Sequence, residues 1–266
     1  MERIQKALEK AYQNRQKTES NHTQFTPKPS RLRISVKNET SPEALRKVNI
    51  GTEILTNNRI VAALKNDPRA GLFKTLRNKV LQKMRAFDWN IVALSSPMNG
   101  MGKSLMSINL AVSIALDANY SAILVDLDMR NPSVHRYFGL SPQYGLSDYF
   151  EHDIDLDDLF IHPNLDSLVI LPAGKAISQA SVSIIFPKML NLISELNNRY
   201  PDRIVVINLP PLLNTDDAQV LIPIVDTCIL VVAEQQTTQD EIKRSLQIIG
   251  NKKYFGTILN KSAHAS

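Results

Sequence analysis

The chain has 266 residues, of which 43% are apolar, and a formal net charge of +5. This length is enough to bury one large core. The single cysteine, Cys228, excludes an internal disulfide framework and fits a reducing compartment. No apolar run reaches the ~20 residues that cross a bilayer, and the N-terminus has no signal-peptide apolar region, so we predict a cytoplasmic protein.

The charge is divided unevenly along the chain. Residues 1–85 hold 19 Lys and Arg against 7 Asp and Glu, whereas residues 86–266 hold 12 against 19. A basic front segment fits contact with an anionic membrane surface, nucleic acid or an acidic partner. It equally fits a solvated tail, and the sequence leaves these alternatives open.

The first 49 residues are predicted to form a region separate from the rest. Apolar residues recur at helical spacing over residues 2–15, which predicts an amphipathic helix. Residues 16–48 are polar and rich in Pro, Ser, Thr and Asn, which is typical of a flexible linker. We therefore divide the chain into a helix and basic linker, residues 1–49, and one domain, residues 50–266.

A helix is predicted over residues 69–86, with Leu72, Leu76, Val80 and Met84 on one face. It either packs on the core with a solvated basic face or forms a subunit interface. Beyond it, apolar runs at 90–95, 121–127, 167–172, 203–209, 227–233 and 255–260 alternate with helical segments at 103–117, 187–199, 216–222 and 238–249. This alternation predicts an α/β fold, with a doubly wound, mainly parallel sheet and helices on both faces.

The first chemical motif lies between a strand and a helix. Gly100-Met101-Gly102-Lys103-Ser104 follows the predicted strand 90–95. Glycines let successive N–H groups converge on phosphate oxygens, the lysine reaches the β- and γ-phosphates, and the serine hydroxyl binds Mg²⁺. The first glycine of the strict pattern is replaced by Pro97. The context nevertheless predicts a phosphate-binding P-loop and an ATP and Mg²⁺ site.

The second motif follows the next strand. Asp126, Asp128 and Arg130 come directly after an apolar run, and Pro132, His135 and Phe138 follow at fixed spacing. Carboxylates at the end of a buried strand are costly unless a cation offsets them. The P-loop upstream makes a nucleotide-bound Mg²⁺ the expected cation.

Together, these two motifs resemble the Walker A and A′ motifs of the bacterial tyrosine autokinases, the P-loop kinases of capsule and exopolysaccharide export. The resemblance covers about residues 50–261. It includes Pro172-Ala173-Gly174, the run Leu209-Pro210-Pro211-Leu212-Leu213 and Gly256-Thr257-Ile258-Leu259-Asn260, and it extends to a short helix-like start at residues 2–8.

The resemblance implies roles for individual residues. Asp126 would hold Mg²⁺ and assist deprotonation of the attacking tyrosine, and Asp128 would be a second carboxylate near the metal. Arg130 would organise the loop or bridge to a neighbour. The resulting set is catalytic Lys103, Asp126, Asp128 and Arg130; nucleotide-binding Asn99, Gly100, Met101, Gly102, Lys103, Ser104, Leu105 and Asn260; and metal-binding Ser104, Asp126 and Asn208.

Three departures bear on activity. Asn208 stands where the family's Walker B motif has an aspartate, and loss of a charge-assisted bond predicts a rate lower by about tenfold or more. Gly71, Lys74 and Arg77 match the family's Glu-x-x-Arg-x-x-Arg oligomerisation motif only in part, which puts a ring assembled through it in doubt. Residues 255–266 lack the tyrosines that such kinases phosphorylate.

The predicted function is an ATP-binding, tyrosine-kinase-like regulator of exopolysaccharide or capsule biosynthesis or export. It would form a homo-oligomer and act with a membrane polysaccharide co-polymerase, so that membrane contact is indirect, and nucleic acid is not an expected partner. One alternative is a catalytically weak nucleotide-binding scaffold of the same system. The other is a partitioning ATPase of the ParA/MinD type, but Met98 occupies the position of the signature lysine of that class.

Overall fold

A computed structural model describes residues 46–152 and 154–262. The predicted N-terminal helix and nearly all of the predicted linker lie outside the described residues. Within these residues, one eight-stranded sheet organises the chain. Its strands are β1 (Arg46–Lys47), β2 (Ile91–Ser95), β3 (Ser121–Asp126), β4 (Ile161–His162), β5 (Leu168–Leu171), β6 (Arg203–Asn208), β7 (Thr227–Ala233) and β8 (Tyr254–Asn260).

The strand order is β1-β4-β5-β3-β6-β2-β7-β8, and every neighbouring pair is parallel except β4 and β5. The central strands are mostly apolar and are buried along nearly their whole length, because both faces of the sheet are covered. This arrangement brings the carboxyl ends of β2, β3 and β6 together at one edge. The predicted doubly wound, mainly parallel α/β fold is confirmed.

The longer helices connect or flank these strands. They are α1 (Thr52–Asn57), α2 (Ala70–Phe87), α3 (Lys103–Ala115), α4 (Val134–Tyr137), α5 (Leu146–His152), α6 (Gln179–Arg199), α7 (Asp217–Leu221) and α8 (Gln239–Ile249). Three short 3₁₀ turns lie at Val61–Ala63, Leu156–Leu159 and Ile222–Ile224. Two buried apolar clusters, one on each face of the sheet, form the core.

The helix α3 is almost entirely buried, and this positions the P-loop. It is apolar around most of its circumference and packs against β3 and α2. Its buried Asn109 receives an N–H from Ala62 at 2.9 Å and donates to the carbonyl of Arg59 at 3.1 Å. Because this helix is fixed on all sides, its N-terminus holds Lys103 and Ser104 in place.

Two predicted features differ in extent from the structure. The helix predicted over 187–199 begins at Gln179, and Pro187 lies inside it rather than at its start. The short strand β1 lies within the stretch assigned to the linker and pairs with β4, which the apolar pattern did not reveal. Two-residue strands carry too few side chains for a recognisable alternation.

The predicted subunit-interface role of α2 stays a prediction. Leu72 on this helix is 52% exposed, whereas Val80 and Met84 are buried. Arg77, one of the partial oligomerisation-motif positions, donates to the carbonyl of Ser113 at 3.1 Å and lies 3.4 Å from Asp117. It is therefore engaged within its own chain. Across residues 46–152 and 154–262, no helix is long and apolar enough to span a membrane.

Candidate functional site

The P-loop lies between β2 and α3, and its glycines adopt conformations that other residues rarely adopt. Gly100 has φ +79° and Gly102 has φ +94°. A Cβ atom on Gly102 would come within 2.1 Å of Asn260 Nδ2, so the backbone passes close to that side chain. The loop can thus curl with its N–H groups directed to one side, as phosphate binding requires.

Neighbouring segments fix the loop. The amides of Leu212 and Leu213 donate to the carbonyls of Ser96 at 2.8 Å and Pro97 at 3.0 Å. Asn260, at the end of β8, donates through Nδ2 to the carbonyl of Met101 at 2.9 Å. These bonds hold the backbone of the loop in one conformation, and a preorganised loop loses less entropy when it binds a ligand.

The P-loop lysine and a carboxylate of the second motif form a buried ion pair. Lys103 Nζ lies 2.5 Å from Asp128 Oδ2, with Lys103 7% and Asp128 1% exposed. Each charge compensates the other, so neither is left unpaired in the interior. A phosphate group can take the place of the Asp128 carboxylate beside the ammonium, because both are anions.

Asp126 is the most completely bonded group of the site. Its Oδ2 accepts the amides of Ser133 at 2.9 Å and Val134 at 3.0 Å. Its Oδ1 accepts from Asn208 Nδ2 at 2.8 Å and from the amide of Asp128 at 3.3 Å. Complete burial raises the pKa of Asp126, although the amides of Ser133 and Val134, the Asn208 side chain and the charge of Lys103 lower it.

Asn208 ends β6 beside Asp126 and leaves one polar atom without a partner. Its amide nitrogen donates to Asp126, but its Oδ1 is buried and accepts no hydrogen bond from any described residue. A buried carbonyl oxygen without a donor is costly. Such an atom beside a buried carboxylate is suited to a metal-bound water or a cation.

Two more contacts complete the site. The hydroxyl of Ser133 donates to Ser104 Oγ at 2.8 Å. Arg130 Nη2 donates to Asp217 Oδ1 at 3.0 Å, and its Nε lies 2.7 Å from Asp217 Oδ2. Arg130 thus joins the segment after β3 to the start of α7 and organises this edge of the sheet.

His135 lies in the same segment, close enough to Asp126 and Arg136 to interact with their charges. Its Nδ1 is buried without a hydrogen-bond partner among the described residues. Burial lowers the pKa of His135, the nearby Asp126 carboxylate raises it, and Arg136 lowers it further. The side chain is therefore suited to stay neutral near pH 7.

The residues present fit a magnesium-bound nucleotide. No group of three His, Cys, Asp or Glu side chains that could hold a metal occurs among residues 46–152 and 154–262. Mg²⁺ bound with a nucleotide does not need one, because it takes one or two carboxylates, waters and phosphate oxygens. Ser104, Asp126 and the unpartnered Asn208 Oδ1 provide an all-oxygen donor set of this kind.

The structure brings most predicted site residues to one edge. Lys103 contacts Asp128, Asp126 contacts Asn208, and Asn260 contacts Met101. Asn99 and Gly100 are exposed at the turn of the loop, and Leu105 is half-buried on α3. Their roles toward a nucleotide stay predictions.

Sequence reasoning missed two partners, Ser133 and Asp217. Ser133 lies inside the second motif, between Pro132 and His135, and only its contacts reveal it. Asp217 is 87 residues from Arg130 in the chain, so no local pattern joins them.

Sequence comparison finds relatives among tyrosine-protein kinases and transport proteins. "Putative tyrosine-protein kinase CapB" of Staphylococcus aureus is 29% identical over 191 residues, which is 71% of this chain and 82% of CapB. The "Succinoglycan biosynthesis transport protein ExoP" of Rhizobium meliloti is 29% identical over 204 residues, 73% of this chain but 25% of ExoP. The chain thus spans most of CapB and about a quarter of ExoP. No family model matches the chain.

Comparison of folds gives the same result. The crystal structure of the chimerical protein CapA2B2 superposes with a TM-score of 0.68 and 26% identity, covering 82% of this chain and 93% of that one. The MinC:MinD cell division protein complex of Aquifex aeolicus reaches a TM-score of 0.50 at 18% identity, which shows a shared fold alone. The resemblance to the bacterial tyrosine kinases that the motifs predict is confirmed.

Proposed function

We propose that this chain binds ATP with Mg²⁺ at the carboxyl edge of β2, β3 and β6 and transfers the γ-phosphate to protein tyrosine. The relatives are named as tyrosine kinases, which supports the reaction type. One observation carries the proposal: the P-loop lysine lies against the second motif, with Lys103 2.5 Å from Asp128. The phosphate-binding loop and the carboxylates therefore form one site.

Nucleotide binding would exchange the partners of Lys103. The Lys103 ammonium would pair with the β- and γ-phosphates instead of Asp128, because the phosphates carry more negative charge. Asp128 Oδ2 would then be released from the ion pair and could accept a hydrogen bond in the magnesium–nucleotide site. The buried ion pair thus keeps both groups compensated until a nucleotide replaces it.

The chain's own residues would then orient the bound nucleotide and deprotonate the attacking tyrosine. Ser104 and Asp126 would hold Mg²⁺, which neutralises charge on the phosphates as the γ-phosphoryl group moves. The tyrosine oxygen forms the new bond to phosphorus as the bond to the ADP oxygen breaks. Asp126, which the amides of Ser133 and Val134 hold in place, would accept the phenolic proton.

The second candidate function is a nucleotide-binding scaffold with little phosphotransfer. Asn208 favours it, because an amide at the end of β6 brings no negative charge to the metal site. The Asn208 amide instead donates a hydrogen bond to the Asp126 carboxylate. A partitioning ATPase is less well supported, since Met98 occupies the position of that class's signature lysine.

One assay separates kinase from scaffold. The purified chain would be incubated with Mg·ATP and probed for phosphotyrosine beside Lys103→Met and Asn208→Asp. Phosphotyrosine in the unaltered chain that is lost in Lys103→Met supports the kinase. Phosphotyrosine in Asn208→Asp alone supports the scaffold.

We also propose that the chain works in polysaccharide synthesis or export with a membrane protein, as a homo-oligomer. The name of ExoP supports the first part of this proposal. A cytoplasmic chain recruited to the inner face of the membrane through that partner fits the basic composition of residues 1–85. Deleting residues 1–48 is expected to abolish co-purification with the export machinery.

A further inference from the structure

Ser133 precedes α4 but does not cap it. A capping serine gives its side-chain oxygen to an N–H two or three residues later. Here no side-chain bond of this kind forms, although Ser133 is the residue just before the helix. Its hydroxyl instead donates to Ser104 Oγ, 29 residues away, at 2.8 Å.

Ser133 also contacts Asp126, which like Ser104 is a candidate metal ligand. The amide of Ser133 donates to Asp126 Oδ2 at 2.9 Å. Ser104 lies at the start of α3 and Asp126 at the end of β3, so Ser133 links two elements that are distant in sequence. No other described residue has a hydrogen bond to the side chains of both.

Ser104 Oγ accepts two hydrogen bonds in this arrangement, one from the Ser133 hydroxyl at 2.8 Å and a long one from Lys103 Nζ at 3.5 Å. A hydroxyl oxygen has two acceptor sites and one hydrogen. The site that faces Lys103 would become available to Mg²⁺ when the ammonium turns to the phosphates, and the site that receives the Ser133 hydroxyl would stay occupied. Partners behind a metal ligand set its orientation, and their removal typically lowers metal affinity by roughly 10–100-fold.

We propose that Ser133 is a positioning residue for the nucleotide-bound Mg²⁺, which it serves by orienting Ser104 and Asp126 without contacting the reacting phosphate. This inference rests on the proposed nucleotide site. The backbone N–H on Asp126 is kept in every variant of residue 133 other than proline. The side-chain hydroxyl on Ser104 is therefore the contact that mutation can remove.

The test measures Mg²⁺-dependent binding of a fluorescent ADP, mant-ADP, to the full chain. Ser133→Ala is expected to raise the Mg²⁺ concentration for half-maximal binding by about tenfold or more. Binding of mant-ADP in EDTA should stay unchanged, because the P-loop amides and Lys103 are intact. Ser133→Thr keeps the hydroxyl and should restore the response to within about threefold of the unaltered chain.

Ser167→Ala is the matched control. Ser167 is also partly buried and donates to the carbonyls of Ala115 and Tyr120, but it precedes β5, at the opposite edge of the sheet. Its removal should lower the Tm without changing the Mg²⁺ dependence. A melting curve for each variant separates loss of fold from loss of metal positioning.

Three results would overturn the inference. The first is a Mg²⁺ dependence of Ser133→Ala equal to that of the unaltered chain. The second is that mant-ADP binding by Ser133→Ala falls as much in EDTA as in Mg²⁺. The third is that Ser133→Thr fails to restore the response. If the unaltered chain binds no mant-ADP in any condition, the proposed nucleotide site is itself wrong. Failure of the proposed function is thus distinct from failure of this inference.

Discussion

Replacing Asn208 by aspartate tests how the site is stabilised without metal. In the structure the Asn208 amide donates to Asp126 Oδ1 at 2.8 Å. Asn208→Asp would place two carboxylates at this distance. At an effective dielectric constant of ~20 their repulsion is about 6 kcal/mol, so one of them takes up a proton instead.

Protonation limits the loss of stability. Holding a carboxyl of ordinary pKa protonated at pH 7 costs about 4 kcal/mol, and the burial that raises the pKa of Asp126 reduces this cost. We therefore expect the free energy of unfolding to fall by about 2–4 kcal/mol, which lowers the Tm by roughly 5–15 °C. Mg²⁺ with ADP should recover most of the loss.

Thermal unfolding in EDTA, in Mg²⁺ and in Mg²⁺ with ADP measures this effect. Asn208→Leu is the control, because it removes the same hydrogen bond without adding a charge. It should lose about 1.5–3 kcal/mol that Mg²⁺ does not recover. Equal melting of Asn208→Asp and the unaltered chain in EDTA, or recovery of Asn208→Leu by Mg²⁺, would refute the reasoning.

Three further predictions follow from the packing and the pKa shifts. Gly102→Ala forces a strained φ of +94° and a clash with Asn260, so it should cost about 1–3 kcal/mol in a denaturant titration, whereas Gly71→Ala, with open space around it, should be neutral or stabilising. Burial lowers the pKa of His135, so just below pH 6.5 the unfolded chain binds more protons than the folded chain. The Tm of the unaltered chain should therefore fall more between pH 7 and pH 5 than the Tm of His135→Gln. Equal falls in Tm would contradict this. Burial raises the pKa of Cys228 to about 12, so a thiol reagent such as DTNB should react only after unfolding, and rapid reaction of the native chain at pH 8 would contradict its burial.

The sequence was sufficient to predict the main strands and the two motifs. Apolar runs such as Thr227–Ala233 are buried on both faces, and this leaves a continuous pattern that is easy to read. The P-loop and the Asp126 motif are local in sequence, so their residue types could be recognised directly. Both motifs follow the carboxyl ends of predicted parallel strands, and these ends lie at the same edge of a parallel sheet.

The contacts between the motifs could not be predicted in the same way. The ion pair of Lys103 with Asp128 depends on the distance between two loops. The hydrogen bond from Asn208 to Asp126 joins residues 82 positions apart. Packing of β3 between β5 and β6 decides these distances, and no local pattern records it.

The most direct test of the central claim is calorimetric binding of a non-hydrolysable ATP analogue to the unaltered chain and to Lys103→Ala/Asp128→Asn. The double substitution leaves neither buried charge unpaired, so its fold should persist. We predict saturable one-to-one binding that strengthens with Mg²⁺ in the unaltered chain and falls at least tenfold in the double variant. Equal binding by both chains, or no binding by the unaltered chain, would contradict the assignment of this edge of the sheet as a Mg·ATP site.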